Sequence, residues 1–225
     1  MLTALLPLLA SVAATQSVPE AQLTTCINQA RTDLATAVVT ADDWLEHLKG
    51  PERAYPLQCF GIIYTRQMRW DEAEQAFLQA RDATLPTELL KRAKLGAMAG
   101  NAAMEDEREE DALVALDQAA ADARAGGDAK AAGDIEIDRA RALVALARPA
   151  DAEKALATAR LDSPQNSDGW LLSATLARRL EKLAQAQSFI ETAAALRPVD
   201  LEIGLEAGLI AALAGRNDAA RKSWK

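Results

Sequence analysis

Small and bulky apolar residues recur along this chain in a fixed order. Gly61, Ala73, Phe77 and Ala80 are separated by 12, 4 and 3 residues. The same steps separate Ala140, Ala152, Leu156 and Ala159, and again Ala174, Ala186, Ile190 and Ala193. Gly208, Ala220 and Trp224 begin a further set, and Ala140, Ala174 and Gly208 stand 34 residues apart. Steps of three and four residues fall on one face of an α-helix. Each set therefore predicts a helix carrying the first small residue, a turn, and a second helix carrying the other three. Pro86, Pro164 and Pro198 follow these second helices. Proline has no amide hydrogen to donate and clashes with the preceding turn, so it closes a unit. No such hairpin can bury its apolar face alone, so stacking of neighbours is required.

The middle and the ends depart from this period. Gly96 and Ala140 are 44 residues apart, and Ala112 stands 16 residues after Gly96 where 12 is the rule. Four added residues make about one helical turn. Six more fall between Ala112 and Ala152, around Ala125-Gly126-Gly127-Asp128. The pattern predicts one longer hairpin with a Gly-Gly loop and a change of bend or pitch. At the N-terminal side, Ala21 to Arg31 and Asp33 to Leu48 read as a degenerate hairpin stopped by Lys49-Gly50-Pro51. An atypical end unit of this kind acts as a cap. Lys225 falls partway through what should be a second helix.

The stretch Leu57 to Tyr64 (LQCFGIIY), followed by Ala73, Phe77, Ala80 and Pro86, resembles the tetratricopeptide repeat. The resemblance covers roughly residues 54–225 and is closest to exported bacterial members. It implies an all-α fold: a right-handed superhelical solenoid of stacked antiparallel helix pairs, about five to six units. The expected division is a leader at 1–14, a degenerate hairpin at 15–53 and an array at 54–225. Within the array, units are expected near 54–87, 88–128, 133–166, 167–200 and, incomplete, 201–225. The resemblance further implies that the first helix of each unit lines a concave groove for peptides or proteins. It places Tyr55, Gln58, Ile62, Thr65 and Arg66 there from one unit, and Asp134, Ile137, Arg141 and Val144 from another. Leu171, Thr175, Arg178 and Arg179 follow, then Glu202, Leu205, Leu209 and Leu213. Some members clamp a partner's terminal carboxylate with Lys and Asn. Here those positions hold Gln58, Ile62 and Ile137, so that clamp is absent. Arg66, Arg141 and Arg178 read either as a sparse basic line facing acidic groups or as solvated side chains.

Composition narrows the role. Half of the 225 residues are hydrophobic but only 4% are aromatic, as suits slender alanine-rich helices packed closely. The net charge of −8 argues against nucleic acid and anionic lipid as partners, since both call for a basic patch. Leu2 to Val12 (LTALLPLLASV) is uncharged and too short to span a bilayer. With Val12-Ala13-Ala14 behind it, it reads as a signal peptide cleaved after Ala14, and hence as export to the bacterial periplasm. No amino-terminal Lys or Arg precedes it, and an amphipathic first helix is the other reading. Beyond it, no apolar stretch could insert into a membrane. Cys26 and Cys59 lie 33 residues apart, about one repeat, so they can meet at the same height on neighbouring helices. In an oxidising compartment such a pair bridges, contributing about 3–4 kcal/mol in the chain-entropy model; otherwise they are two buried thiols.

No reactive constellation stands out. His47 has Asp43 and Glu46 beside it, but a zinc site needs three or four converging ligands and there is no second histidine. The acidic run Glu105 to Asp111 lacks the spacing and glycine of a calcium loop; acids at a helix start favour the positive dipole end and stay solvated. Ser163, Ser167 and Ser173 have no nucleophile-elbow context. The expectation is a non-enzymatic interaction scaffold of the cell envelope with no cofactor or metal and an open oligomeric state. The alternative is the regulatory or substrate-presenting portion of a larger envelope enzyme truncated at Lys225.

Overall fold

The computed structural model describes residues 17–223; the expected leader at 1–14 and Trp224 lie outside them. Twelve α-helices run through the described residues, and no strand occurs among them. They pair as α1 (Val18–Thr32) with α2 (Leu34–Glu46), and α3 (Ala54–Arg66) with α4 (Trp70–Ala83). Then come α5 (Leu89–Glu105) with α6 (Glu109–Ala125), and α7 (Ala129–Ala145) with α8 (Pro149–Asp162). Last are α9 (Ser167–Arg179) with α10 (Leu183–Leu196), and α11 (Leu201–Leu213) with α12 (Asn217–Ser223). A 3-10 turn at Gly50–Arg53 separates the first pair from the second. The pairs stack as a right-handed superhelical solenoid, the fold class that the small-and-bulky ladder implies.

Helix starts are set by short polar side chains that accept otherwise unpaired amide hydrogens. Asp33 accepts from the Thr36 amide at 3.1 Å, Asp128 from Ala131 at 2.9 Å, and Asp200 from Ile203 at 3.0 Å. At the start of α1, the Glu20 carboxylate accepts from the Ser17 amide at 2.9 Å.

The core is strung along the array as successive clusters. One joins Cys26, Ala30, Ala37, Ala41, Cys59 and Ile63; the next centres on Phe77, Leu95 and Ala99. The ladder residues make these contacts. A Cβ on Gly61 would lie 2.4 Å from the Phe77 ring, so only glycine lets α3 and α4 approach this closely there. Gly100 and Leu116 repeat the arrangement in the next pair, where a Cβ would come within 2.6 Å of Leu116 Cγ. This second contact stands in the added turn of α5.

The residues that exceed the 34-residue period are helical. Helices α5, α6 and α7 each have 17 residues, against 13 for α3 and 14 for α4. Gly126-Gly127-Asp128 makes a tight turn of the kind that joins the two helices within each array unit. In all six such turns from α3 onward the second residue has positive φ: Met68, Glu107, Gly127, Ala147, Glu181 and Gly215. The third residue then donates to a carbonyl five positions back, as Arg69 does to Tyr64 and Asp128 to Ala123, both at 3.0 Å. From α3 to α4 and from α5 to α8, therefore, the chain reverses by one device.

Ion pairs knit the long central helices. Arg81 of α4 reaches Asp122 of α6 at 2.7 Å, and the buried Glu136 carboxylate of α7 is held by both Arg124 and Arg139. Arg108 gathers the acidic run, bonding Asp106 at 2.8 Å and Asp111 at 3.1 Å, and it also pairs with the buried Glu74 of α4. Cys26 of α1 and Cys59 of α3 form a disulfide across a 6.3 Å Cα separation, the pairing their spacing allows.

Candidate binding groove

The first helices of three successive pairs, α3, α5 and α7, border one opening. Helix α5 packs chiefly against α4 and α6 and touches α7 only sparsely, so space remains between α3, α5 and α7. A cleft of about 840 Å³ occupies it. Ladder register accounts for part of the lining: one residue after the small ladder residue stand Ile62, Arg141 and Thr175, and after Gly100, which meets Leu116 as Gly61 meets Phe77, stands Asn101.

From α3 the cleft receives Ile62, Thr65 and Arg66; from α5, Met98, Asn101, Met104 and Glu105; from α7, Asp138 and Arg141. Trp70 and the edge of Phe77 complete an apolar wall. Across the floor, Asn101 donates to Asp138 at 3.1 Å, and Arg141 donates to the other oxygen of that carboxylate at 2.5 Å. The first bond ties α5 to α7, and the second, within α7, leaves Arg141 charge-compensated. Arg66 has no ion pair among the described residues, so its guanidinium is the cleft's uncompensated cation. Glu105 likewise has no ion pair among the described residues.

A second, narrower cleft of about 230 Å³ lies between α7 and α9. Arg141, Val144, Thr175 and Arg179 border it, with Leu172 and Leu176 beneath. Of the residues expected in the groove, Ile62, Thr65, Arg66, Arg141, Val144, Thr175 and Arg179 line one or other of these clefts.

Other residues go elsewhere. Gln58, Ile137 and Leu171, expected in the groove, are buried instead. Ile137 packs on Gly169 of α9, and Leu171 joins a cluster with Ile203 of α11, because the next first helix leans over this position. Tyr55 stacks on Trp44 with centroids 6.5 Å apart, and Lys91 Nζ sits 3.5 Å above its ring, a cation–π contact that locks it between α2 and α5. Asp134 touches the rim of a further opening between α5 and α7, but its carboxylate is committed. It accepts from Lys130 and Asn166 at 2.7 Å and from Ser163 at 2.8 Å. Burial pushes this carboxyl up, but those three donors outweigh it and hold the group below the usual range. Arg178 turns to α11, where it pairs with Glu206. The expected line of Arg66, Arg141 and Arg178 therefore presents one unpaired guanidinium, at Arg66. Glu202, Leu205, Leu209 and Leu213 lie along α11 beyond both clefts.

Sequence reasoning missed Met98, Asn101, Met104 and Asp138. Asp138 carried a signal, standing three residues before Arg141 on the same helix face. Asn101 carried one too: Gly100, Ala112, Leu116 and Ala119 keep the 12, 4 and 3 steps, which puts Asn101 in the place of Ile62 and Arg141, but counting from Gly96 hides it.

Among the described residues no three His, Cys, Asp or Glu side chains gather as a metal set, and no helix is long and apolar enough to cross a membrane. The His47 ring nitrogen Nδ1 lies 2.6 Å from the Asp43 carbonyl oxygen one turn back.

No protein-family model and no curated protein matches this chain. Solved structures do. PilW, titled a widely conserved type IV pilus biogenesis factor, superposes with a TM-score of 0.73 at 18% identity, over 93% of this chain and 91% of that one. A Pseudomonas aeruginosa pilF structure gives 0.71 at 14% identity, over 92% and 90%. The TPR-like repeats of a putative kinesin light chain from Podosopora anserina give 0.66 at 15%, over 81% and 97%. These likenesses establish a tetratricopeptide-like fold.

Proposed function

We propose that this tetratricopeptide-like array is a non-enzymatic scaffold of the bacterial cell envelope, exported to the periplasm, that holds a peptide or protein segment in its concave groove. The observation that carries the reading is the cleft of about 840 Å³ between α3, α5 and α7. It joins an apolar wall to a few fixed polar groups, the composition of a recognition site. Met98 and Met104 supply adaptable apolar contact, which suits a side chain of irregular shape. The Asn101–Asp138–Arg141 bonds hold the floor rigid. A groove lined by parallel helix faces takes an extended or helical segment lengthwise.

The compartment is inferred from two features. The Cys26–Cys59 bridge closes in an oxidising environment, and Leu2 to Val12 has the character of a signal sequence. Fractionation of cells carrying the full reading frame should place the protein in the periplasm with its leader removed.

Capture from an envelope extract tests the groove. The chain should retain a partner that the double variant Arg66→Glu, Asn101→Lys loses. Both side chains are exposed, so helicity and melting should not change. Equal capture by the variant would overturn the groove assignment.

A further inference from the structure

We infer that Arg31 and Arg66 together form a carboxylate-binding subsite beside the groove, which takes an acidic side chain of the bound segment. This rests on the groove reading and deepens it by naming the partner's chemistry. A concavity of about 430 Å³ lies where α1 passes into α2, next to the last turn of α3. Ala30, Arg31, Thr32 and Leu34 line it together with Arg66. Arg66 also lines the cleft between α3, α5 and α7, so the two openings meet at its side chain.

Neither guanidinium has a carboxylate partner among the described residues. Acid is not scarce, since the chain holds 33 Asp and Glu against 25 Lys and Arg. Arg69, Arg81, Arg108 and Arg141 each find a carboxylate. Asp33 is near Arg31 in sequence, but it accepts from the Thr36 amide at 3.1 Å and from the Thr36 hydroxyl at 2.6 Å. Met1 to Gln16 include no acidic residue, so none of their side chains can neutralise the pair.

Two like charges in one opening repel, and an anion between them removes that cost. Each guanidinium presents a planar fork of donors that matches the two oxygens of a carboxylate. The two forks are also fixed relative to one another. Both stand in the last turns of their helices, and the Cys26–Cys59 bridge fastens α1 to α3 within two turns of each. Donors placed in advance need less ordering on binding. A peptide lying in the groove thus meets apolar side chains at Met98 and Met104, and two cations where it passes Arg66 toward α1.

The probe is acetylated, amidated tetraglutamate, added to the full chain while the arginine Nε–H signals are followed by NMR. Arg31 and Arg66 should shift together along one binding curve while Arg69, held by Glu72, stays still. Tetraglutamine should move neither. Arg31→Gln should weaken the Arg66 response about tenfold, as expected for loss of a charge-assisted bond. Its melting should not change, since the side chain is exposed. Arginine signals that never move, an Arg66 response indifferent to Arg31→Gln, an equal response to tetraglutamine, or tighter binding of inorganic phosphate would each overturn the subsite. Arg31 does not line the larger cleft, so capture from envelope extract separates the two readings. A partner lost by Asn101→Lys but kept by Arg31→Gln would overturn the subsite and leave the groove. A partner kept by Asn101→Lys, with both arginines still answering tetraglutamate, would overturn the groove and leave the subsite.

Discussion

Arg178 of α9 grips the buried carboxylate of Glu206 on α11 through two hydrogen bonds, of 2.6 and 3.1 Å. The pair crosses from one repeat to the next, and the Glu206 contact raises the affinity of the guanidinium for its proton. Such a bond between neighbours is what couples units of a solenoid.

Removing one partner leaves a charge with little water and no counter-ion. Arg178→Ala should therefore destabilise the chain by about 2–3 kcal/mol, more than loss of an exposed pair would. The double variant Arg178→Ala, Glu206→Gln should recover part of that loss. Urea unfolding of the four members of the cycle measures the coupling, and equal effects of single and double variants would refute it.

The six tight turns make a second prediction. Ala147 has φ of +54°, a conformation in which a Cβ crowds the backbone. Ala147→Gly should stabilise by about 0.5–1 kcal/mol. Gly127 has φ of +78° with open space around it, so Gly127→Ala tests conformation alone and should cost about 1–2 kcal/mol. Thermal melting of both variants should show shifts of opposite sign.

Reduction of the Cys26–Cys59 bridge should cost about 3–4 kcal/mol by freeing a 33-residue span in the unfolded chain. Cys26→Ala with Cys59→Ala should behave like the reduced protein. Amide exchange should rise first in α1 and α2. Alkylation of both cysteines in the native, unreduced protein would contradict the bridge.

His47 is the single histidine, so one imidazole signal reports it. The Asp43 carbonyl, then the Asp43 charge, raises its pKa above the ordinary value of 6.5. The folded state binds this proton more tightly than the unfolded state. The stabilisation is thus fully present below about pH 6.5 and fades as pH rises through the raised value. A proton NMR titration should find the midpoint above 6.5 in the folded protein and near it in urea. Equal midpoints would dismiss the contact.

The ladder was readable because each small residue and its bulky partner are close in sequence and repeat. Gly61 and Phe77 announce a helix pair before any coordinates. The ladder also marks which side of a first helix meets its own second helix. It does not say how far the next unit leans over, which is why Gln58, Ile137 and Leu171 were expected in the groove and lie in the core. Turn geometry was equally hidden: Met68, Glu107, Ala147 and Glu181 take positive φ without the glycine that would advertise it. In the middle, the extra residues read as a lengthened hairpin with a Gly-Gly loop. They entered α5, α6 and α7 as helix, because each added turn could bury another alanine or glycine contact such as Gly100 on Leu116. Asn101 and Met98 moved into the cleft with them.

The link between α1 and α3 also gives the array a direction. A row of units held by nearest-neighbour contacts ordinarily peels from either end. With α1 stapled to α3, the first hairpin cannot leave without taking the second along, so one end is shut to unravelling. Under mild heat the helices from α1 to α4 should therefore open together, as one block rather than as two separate hairpins.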